Sequence, residues 1–198
     1  FARTDLSGTI QVAPTDISGT LSTLGPGSEV RIATDGSGNS HILFKLKTIT
    51  AFQTNAFQNN AFQTAQPDLL RYVKVDSSGG VLVAVSAPLD PPPGASDVAP
   101  AMIHWDNNDV LHVLGYTIYA GGLAFSYGRL TVAGAVSVPM TLFWSAPTTI
   151  VFGRGTMDRV NNQIYLAWAT SGGINQLRLD PAAAAGDTLE SVLVKASL

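Results

Sequence analysis

The chain has 198 residues, of which 45% are hydrophobic and only 13% charged, and its formal net charge is -3. The hydrophobic share is large enough for a buried core, whereas the charged fraction is about half of the ~25% usual in soluble proteins. Without a cluster of lysines and arginines, the chain lacks the electrostatic basis for binding nucleic acid. The absence of cysteine excludes disulfides and thiolate metal sites. The sequence contains no run of about 18 apolar residues, so no membrane-spanning helix is predicted.

The N-terminal segment contains one short pattern twice. TDLSGT at residues 4–9 returns eleven residues later as TDISGT at residues 15–20. Asp and Ser side chains can bond nearby backbone N–H groups and so close turns, which favours an extended arm or a small hairpin over a ligand-binding loop. No signal-peptide pattern opens the sequence, and it begins at Phe1 instead of a methionine, so we expect a processed product or a piece of a longer polypeptide.

A strand, a polar turn and a second strand recur four times further along. Each turn begins with an aspartate, and the turns start at Asp35, Asp76, Asp106 and Asp158. Hydrophobic strands separated by Asp, Gly and Asn residues are typical of β-hairpins. The mean spacing of about 41 residues is close to the period of about 40–50 residues expected of propeller blades.

The last two copies extend in parallel. A Gly-Gly turn and an Arg-Leu strand follow each of them, at residues 121–130 and 172–179, which predicts at least three consecutive antiparallel strands per copy. The one helix candidate, residues 181–185, begins with proline and ends at a glycine, so a single turn is expected. The Pro-rich stretch Pro88–Pro100 is interpreted as a stiff extended loop with a contact role.

A phenylalanine repeat lies between the first two copies. Residues 51–63 read AFQTNAFQNNAFQ, so Phe52, Phe57 and Phe62 recur every five residues. This period fits neither a helix nor a strand, and in a strand the middle ring would point away from the other two. Because burial of each ring would contribute about 1.5–3 kcal/mol, we expect all three to insert into pockets of a neighbouring subunit or of the chain's own sheets; the alternative is a solvated linker. The glutamines that follow the rings would satisfy backbone groups beside them: Gln53, Gln58 and Gln63.

No complete catalytic or metal-binding motif is present. The turn at residues 35–39 resembles the start of a calcium loop, but Ser40 and Leu46 occupy the places of its required Gly and Glu, which favours a hairpin turn. The three histidines lack metal-ligand spacing, and His112 shares a strand face with apolar residues, so it is predicted to be a packed core residue. No nucleophile motif or phosphate-binding loop occurs. The protein is therefore predicted to have no cofactor and to be no enzyme.

Tryptophans and tyrosines suggest a further alternative. They could form a face on which sugars stack, but Trp105 and Trp168 lie in strand patterns, where aromatic residues commonly fill the core. Core packing is therefore the favoured interpretation. The full set comprises Trp105, Trp144, Trp168, Tyr116, Tyr119, Tyr127 and Tyr165.

The repeating order of strand, aspartate turn, strand, Gly-Gly turn and Arg-Leu strand resembles blades of sialidase-like β-propellers, chiefly over residues 102–179. The resemblance implies a fold and not an activity, because the full Asp-box is missing. No arginine triad is assigned to the arginines of this stretch, which are Arg129, Arg154, Arg159 and Arg178. The tract at residues 55–63 is similar to low-complexity pieces of virion structural proteins of tailed bacteriophages, which implies a capsid or tail accessory protein.

Taken together, these patterns predict an all-β protein of antiparallel sheet modules, propeller-blade-like or sandwich, with an extended N-terminal arm. Residues 1–70 would form the N-terminal region and residues 71–198 the β-module domain. The leading hypothesis is a non-enzymatic virion structural protein, acting in capsid decoration or in the tail and located in the virion. It would associate with itself and with other virion proteins, without nucleic acid or membrane. The alternative is a carbohydrate-binding host-attachment module of β-propeller type, with a glycan as partner.

Overall fold

In a computed structural model of the chain, the described residues are 1–14, 29–46, 69–86, 89–106, 108–119, 122–145, 150–161, 163–170 and 173–179. They form β-strands and, within these ranges, no helix, so the predicted all-β class is confirmed. It follows that this part of the chain contains no helix that could span a membrane. The helix candidate at residues 181–185 lies outside the described residues. The strands are β1 (Arg3–Thr4), β2 (Ile10–Val12), β3 (Val30–Thr34), β4 (Ser40–Leu46), β5 (Leu69–Val75), β6 (Val81–Ser86), β7 (Ala95–Trp105), β8 (Val110–Tyr119), β9 (Gly122–Thr131), β10 (Val136–Ser145), β11 (Ile150–Asp158), β12 (Gln163–Thr170) and β13 (Gly173–Leu179).

The strands pair as consecutive antiparallel meanders. β1 and β2 form a small hairpin, β3 to β6 form the first sheet, β7 to β10 the second, and β11 to β13 the third. The opening strands of the three sheets adjoin one another, since β3 contacts β7 and β7 contacts β11. A series of meanders whose opening strands lie side by side is the arrangement of propeller blades, so the expected propeller-like character is supported by the topology.

Two apolar layers hold the three sheets together. Leu43 and Leu70 of the first sheet are buried with Ile103, Leu111 and Leu130 of the second. The second layer lies between the second and third sheets, because side chains from β7 to β9 are buried against side chains from β11 and β12. Strands β4 and β8 are buried on both faces, which explains their continuous hydrophobic runs. Members of the second layer are Met102, Leu114, Phe125, Met157, Ile164, Leu166 and Trp168.

The N-terminal residues form a hairpin on the outer side of the first sheet. Val12 is buried there, Arg3 Nη1 donates a hydrogen bond to the carbonyl of Ser77 at 2.9 Å, and Phe1 packs on the outermost apolar cluster. This confirms the small-hairpin interpretation for the TDLSGT copy, whereas an extended arm is not confirmed. The second copy, at residues 15–20, lies outside the described residues.

The division predicted between residues 70 and 71 needs correction. It falls inside β5, which runs from Leu69 to Val75 and pairs with β4 over its whole length. Residues 30–46 therefore belong to the first sheet with residues 71–86. For the same reason, the turns at Asp35 and Asp76 lie in one sheet, so that the four predicted copies occupy three sheets. Sequence spacing could not show this, because it does not reveal which hairpins pair.

Candidate functional site

The aspartate turns share one geometry. At Asp35, Oδ1 accepts hydrogen bonds from the backbone N–H groups two and four residues later, each at 2.9 Å, and the backbone closes the turn with two further bonds. Asp5, Asp76 and Asp106 repeat this pattern. The fourth residue of each turn has a positive φ, which is why it is glycine at positions 8, 38 and 79. The prediction of a hairpin turn at Asp35 is confirmed, and its carboxylate is used by the turn itself.

Two of these aspartates extend into buried hydrogen-bond networks. Asp35 Oδ2 lies 3.1 Å from Nε2 of His41, and Nδ1 of that ring lies 2.7 Å from the Tyr72 hydroxyl. Because an ionised carboxylate can only accept, Nε2 carries the proton, and Nδ1 accepts from the phenol. Both ring nitrogens are therefore satisfied, as a buried imidazole requires.

The second sheet repeats this network. Asp106 Oδ2 lies 3.1 Å from Nε2 of His112, whose Nδ1 lies 2.6 Å from the Tyr127 hydroxyl. In each network the histidine follows the aspartate by six residues and pairs across the sheet with a cation, which is Lys74 for the first and Arg129 for the second. The prediction that His112 is a packed core residue is confirmed, because its side chain is only 2% exposed.

Burial and hydrogen bonding shift the pKa values of these groups. Burial lowers the pKa of His41 and of His112, and this exceeds the opposite effect of the neighbouring carboxylates. Burial raises the pKa of Asp35, but bonds from Asn39 and His41 reverse the effect, and the pKa of this carboxyl falls well below its ordinary value. At neutral pH each network therefore contains a carboxylate, a neutral imidazole and a neutral phenol. Such a set is a structural network, since its groups are occupied by one another.

The third sheet departs from this pattern. Counting six residues from Asp158 gives Ile164, which is fully buried. The turn is also one residue longer, because Asp158 pairs with Gln163, five residues later, whereas Asp35 bonds to Asn39, four residues later. The third sheet thus fills its core with apolar groups where the other two bury a histidine.

An open groove lies where the turn ends of the three sheets meet. It has a volume of about 490 Å³. The first sheet contributes β3 and its turn, the second contributes the end of β7, and the third contributes only Arg159. The lining residues are Ile32, Ala33, Thr34, Asp35, Gly36, Ile103, His104, Trp105 and Arg159. A concave surface that places an aromatic ring beside a few convergent polar groups is a candidate site for a small molecule.

Trp105 is the central side chain of this groove. Gly36 lies so close that a Cβ there would be 3.0 Å from the indole, and the Arg159 guanidinium lies 5.3 Å from the ring centroid. The indole N–H donates to Asp109 Oδ1 at 3.1 Å. The ring is therefore held by contacts from all three sheets. The prediction that Trp105 packs in the core is confirmed in part, because the partly buried side chain packs against the apolar layer of the first two sheets and also lines the groove. Trp168 is buried as predicted.

Asp109 itself has an unusual backbone conformation. Its φ is 58°, in the left-handed region, where the other turns of this type have glycine. A non-glycine residue in this region costs roughly 1 kcal/mol, although Asp tolerates it better than most residues. The carboxylate that fixes the Trp105 indole is thus retained at a conformational cost. Backbone strain of this kind often occurs beside functional sites.

The predicted partner contacts of the phenylalanine tract stay a prediction. Phe52, Phe57, Phe62 and the three glutamines beside them lie at residues 47–68, outside the described residues. The groove was missed in the sequence because its members come from positions 32–36, 103–105 and 159. Two local signals were present: Trp105, considered as part of a face on which sugars stack, and Asp109, a carboxylate at the turn position where glycine is the usual residue.

Comparison with known proteins shows a distant structural similarity and no related sequence. No family model matches the sequence, and no curated protein matches it. Among solved structures, the GH43 endo-arabinanase from Bacillus licheniformis is similar at 11% identity and a TM-score of 0.42, over 76% of this chain and 52% of that chain. The chain thus spans about half the length of this neighbour. The prediction that the protein is not an enzyme is contradicted by this neighbour, which is an enzyme, and is withdrawn; no residue role is transferred from it.

Proposed function

We propose that the chain is a carbohydrate-binding module of β-propeller type whose ligand occupies the groove at Trp105. The observation that carries the proposal is the fixed and partly buried indole in an open, mainly polar groove. A sugar presents an apolar ring face together with hydroxyl groups, so it needs an aromatic surface with hydrogen-bonding side chains beside it. Trp105 supplies the surface, and His104 and Arg159 supply the polar groups.

The electrostatic state of the groove suits a polar ligand. Burial lowers the pKa of His104, and this effect is larger than the opposite effect of the hydrogen bond from the ring to the carbonyl of Trp105. The imidazole is therefore neutral at pH 7. The carbonyl of Trp105 can only accept, so Nδ1 carries the single proton of the neutral ring, and Nε2 can accept a hydrogen bond from a sugar hydroxyl. The role in host attachment and the location in a virion are not tested and stay predictions.

A glycan array followed by calorimetric titration tests the proposal. We expect Trp105→Ala to lower the affinity for any oligosaccharide bound by the native protein at least tenfold, which corresponds to about 1.4 kcal/mol. Tyr165→Ala is the matched control, because it removes a partly buried aromatic side chain that does not line the groove. Absence of binding to every glycan, or equal affinity of native protein and Trp105→Ala, would refute the proposal.

A further inference from the structure

The charges that line the groove are not equally available to a ligand. Asp35 is occupied: its two carboxylate oxygens accept bonds from Ser37, Asn39 and His41, and Lys74 Nζ lies 3.5 Å from Oδ2. This carboxylate is therefore balanced within the first sheet and has little remaining capacity for a ligand.

Arg159 is in the opposite situation. Its side chain is exposed, and among the described residues it takes part in no ion pair. The adjacent Asp158 accepts hydrogen bonds from the Val160 and Asn161 backbone and from the Asn161 side chain, so it is occupied by its own turn. The guanidinium of Arg159 contacts the Trp105 ring at the groove, and no carboxylate of the described residues forms an ion pair with it.

A guanidinium at an aromatic ring matches a definite kind of ligand. Arginine has five N–H donors in a planar arrangement that fits a carboxylate with two parallel bonds. A carboxylate on a sugar that stacks on Trp105 would therefore lie within reach of the guanidinium. The neutral His104 adds hydrogen-bonding capacity without adding charge.

We infer that the ligand of the groove is an acidic saccharide, a sugar chain with a carboxylate on the ring that lies at Trp105. This inference rests on the proposed carbohydrate binding and names its ligand class. Arg159 is the residue that determines specificity, through a bidentate pair with the carboxylate, and Trp105 provides the surface for the ring. Neutral sugars lack this pair and would bind more weakly.

The test uses pairs of probes that differ only in this charge. A glycan array is printed with carboxylated oligosaccharides, such as trigalacturonate, each beside its methyl ester, and the best pair is titrated by calorimetry. We expect the free acid to bind at least tenfold more tightly than the ester at low ionic strength, and the preference to shrink as salt is added.

Substitutions at position 159 then assign the preference to the residue. Arg159→Gln should remove the preference for the acid over the ester, whereas Arg159→Lys should retain part of the preference because it keeps the charge and loses the planar donors. Val160→Ala is the control, since Val160 is the adjacent side chain of the same turn and is 91% exposed. Circular dichroism confirms that each variant is folded.

The possible results separate this inference from the proposal on which it rests. If acid and ester bind equally and both depend on Trp105, carbohydrate binding stands and the acidic class is wrong. If Arg159→Gln still binds the acid more tightly than the ester, another residue recognises the carboxylate, and the inference is also wrong. If no pair binds but another glycan does, only the acidic class fails; if no glycan binds at all, both fail.

Discussion

Mild acid should destabilise this protein before its carboxylates titrate. His41 and His112 are 0% and 2% exposed and each is neutral between a carboxylate and a phenol. Burial lowers the pKa of both rings, whereas attraction to Asp35 or Asp106 raises it. The effect of burial is the larger of the two. A histidine whose pKa is lower in the folded state does not affect the free energy of unfolding well above pH 6.5. As the pH falls below that value, the unfolded state binds more protons than the folded state, and the free energy of unfolding decreases.

The magnitude follows from proton linkage. If both rings stay neutral in the folded state, lowering the pH from 7.5 to 5.5 costs about 1.4 kcal/mol for each histidine, or about 2.8 kcal/mol for the pair. Protonation would also disrupt the second network, because the Tyr127 hydroxyl already accepts from Arg129 Nε at 2.7 Å and would face a second donor. The charged groups that face the rings are Asp35 and Lys74 in the first network and, in the second, Asp106 and Arg129, with His104 adding a further effect.

Urea unfolding at intervals between pH 7.5 and 5.5 measures this loss. His112→Gln should remove about half of the pH dependence, since a glutamine amide can donate to Asp106 and accept from Tyr127 but does not titrate. Tyr165→Ala is the control, because this partly buried side chain lies outside both networks and its loss should leave the pH dependence unchanged. A stability that is flat or rises on acidification would show that attraction to the aspartates exceeds burial, and the reasoning would be refuted.

Three further predictions concern the turns and the phenylalanine tract. Gly79→Ala should lower the free energy of unfolding by about 1–3 kcal/mol more than Gly8→Ala, because both have positive φ but only at Gly79 would a Cβ lie 2.7 Å from Val12; equal losses in urea titrations would contradict this. Asp109→Gly should change the unfolding free energy by less than about 1 kcal/mol, since relief of the backbone offsets the lost indole bond, yet reduce saccharide affinity severalfold in calorimetry; unchanged affinity would show that Asp109 does not position Trp105. Replacing Phe52, Phe57 and Phe62 by Ser should abolish self-association in light scattering while the sheets stay folded by circular dichroism, and unchanged association would identify the tract as a spacer.

The sequence by itself determined the local structure of this protein. An aspartate, a residue of positive φ three positions later and flanking hydrophobic strands specify the hairpins at Asp5, Asp35, Asp76 and Asp106 within a few residues, so the turns at Asp35 and Asp106 could be predicted from composition and spacing. The all-β class follows from the same hairpins. These features depend on hydrogen bonds between neighbours in the chain, which one sequence is enough to reveal.

Only the tertiary structure decided which hairpins share a sheet and which side chains meet. The first sheet joins strands on either side of residues 47–68, and the partners of His41 and His112 lie on neighbouring strands, 31 and 15 residues away. The groove brings together Gly36, Trp105 and Arg159 from three sheets. Such contacts arise from the burial of apolar sheet faces against one another, which is non-directional and leaves no fixed spacing in the sequence.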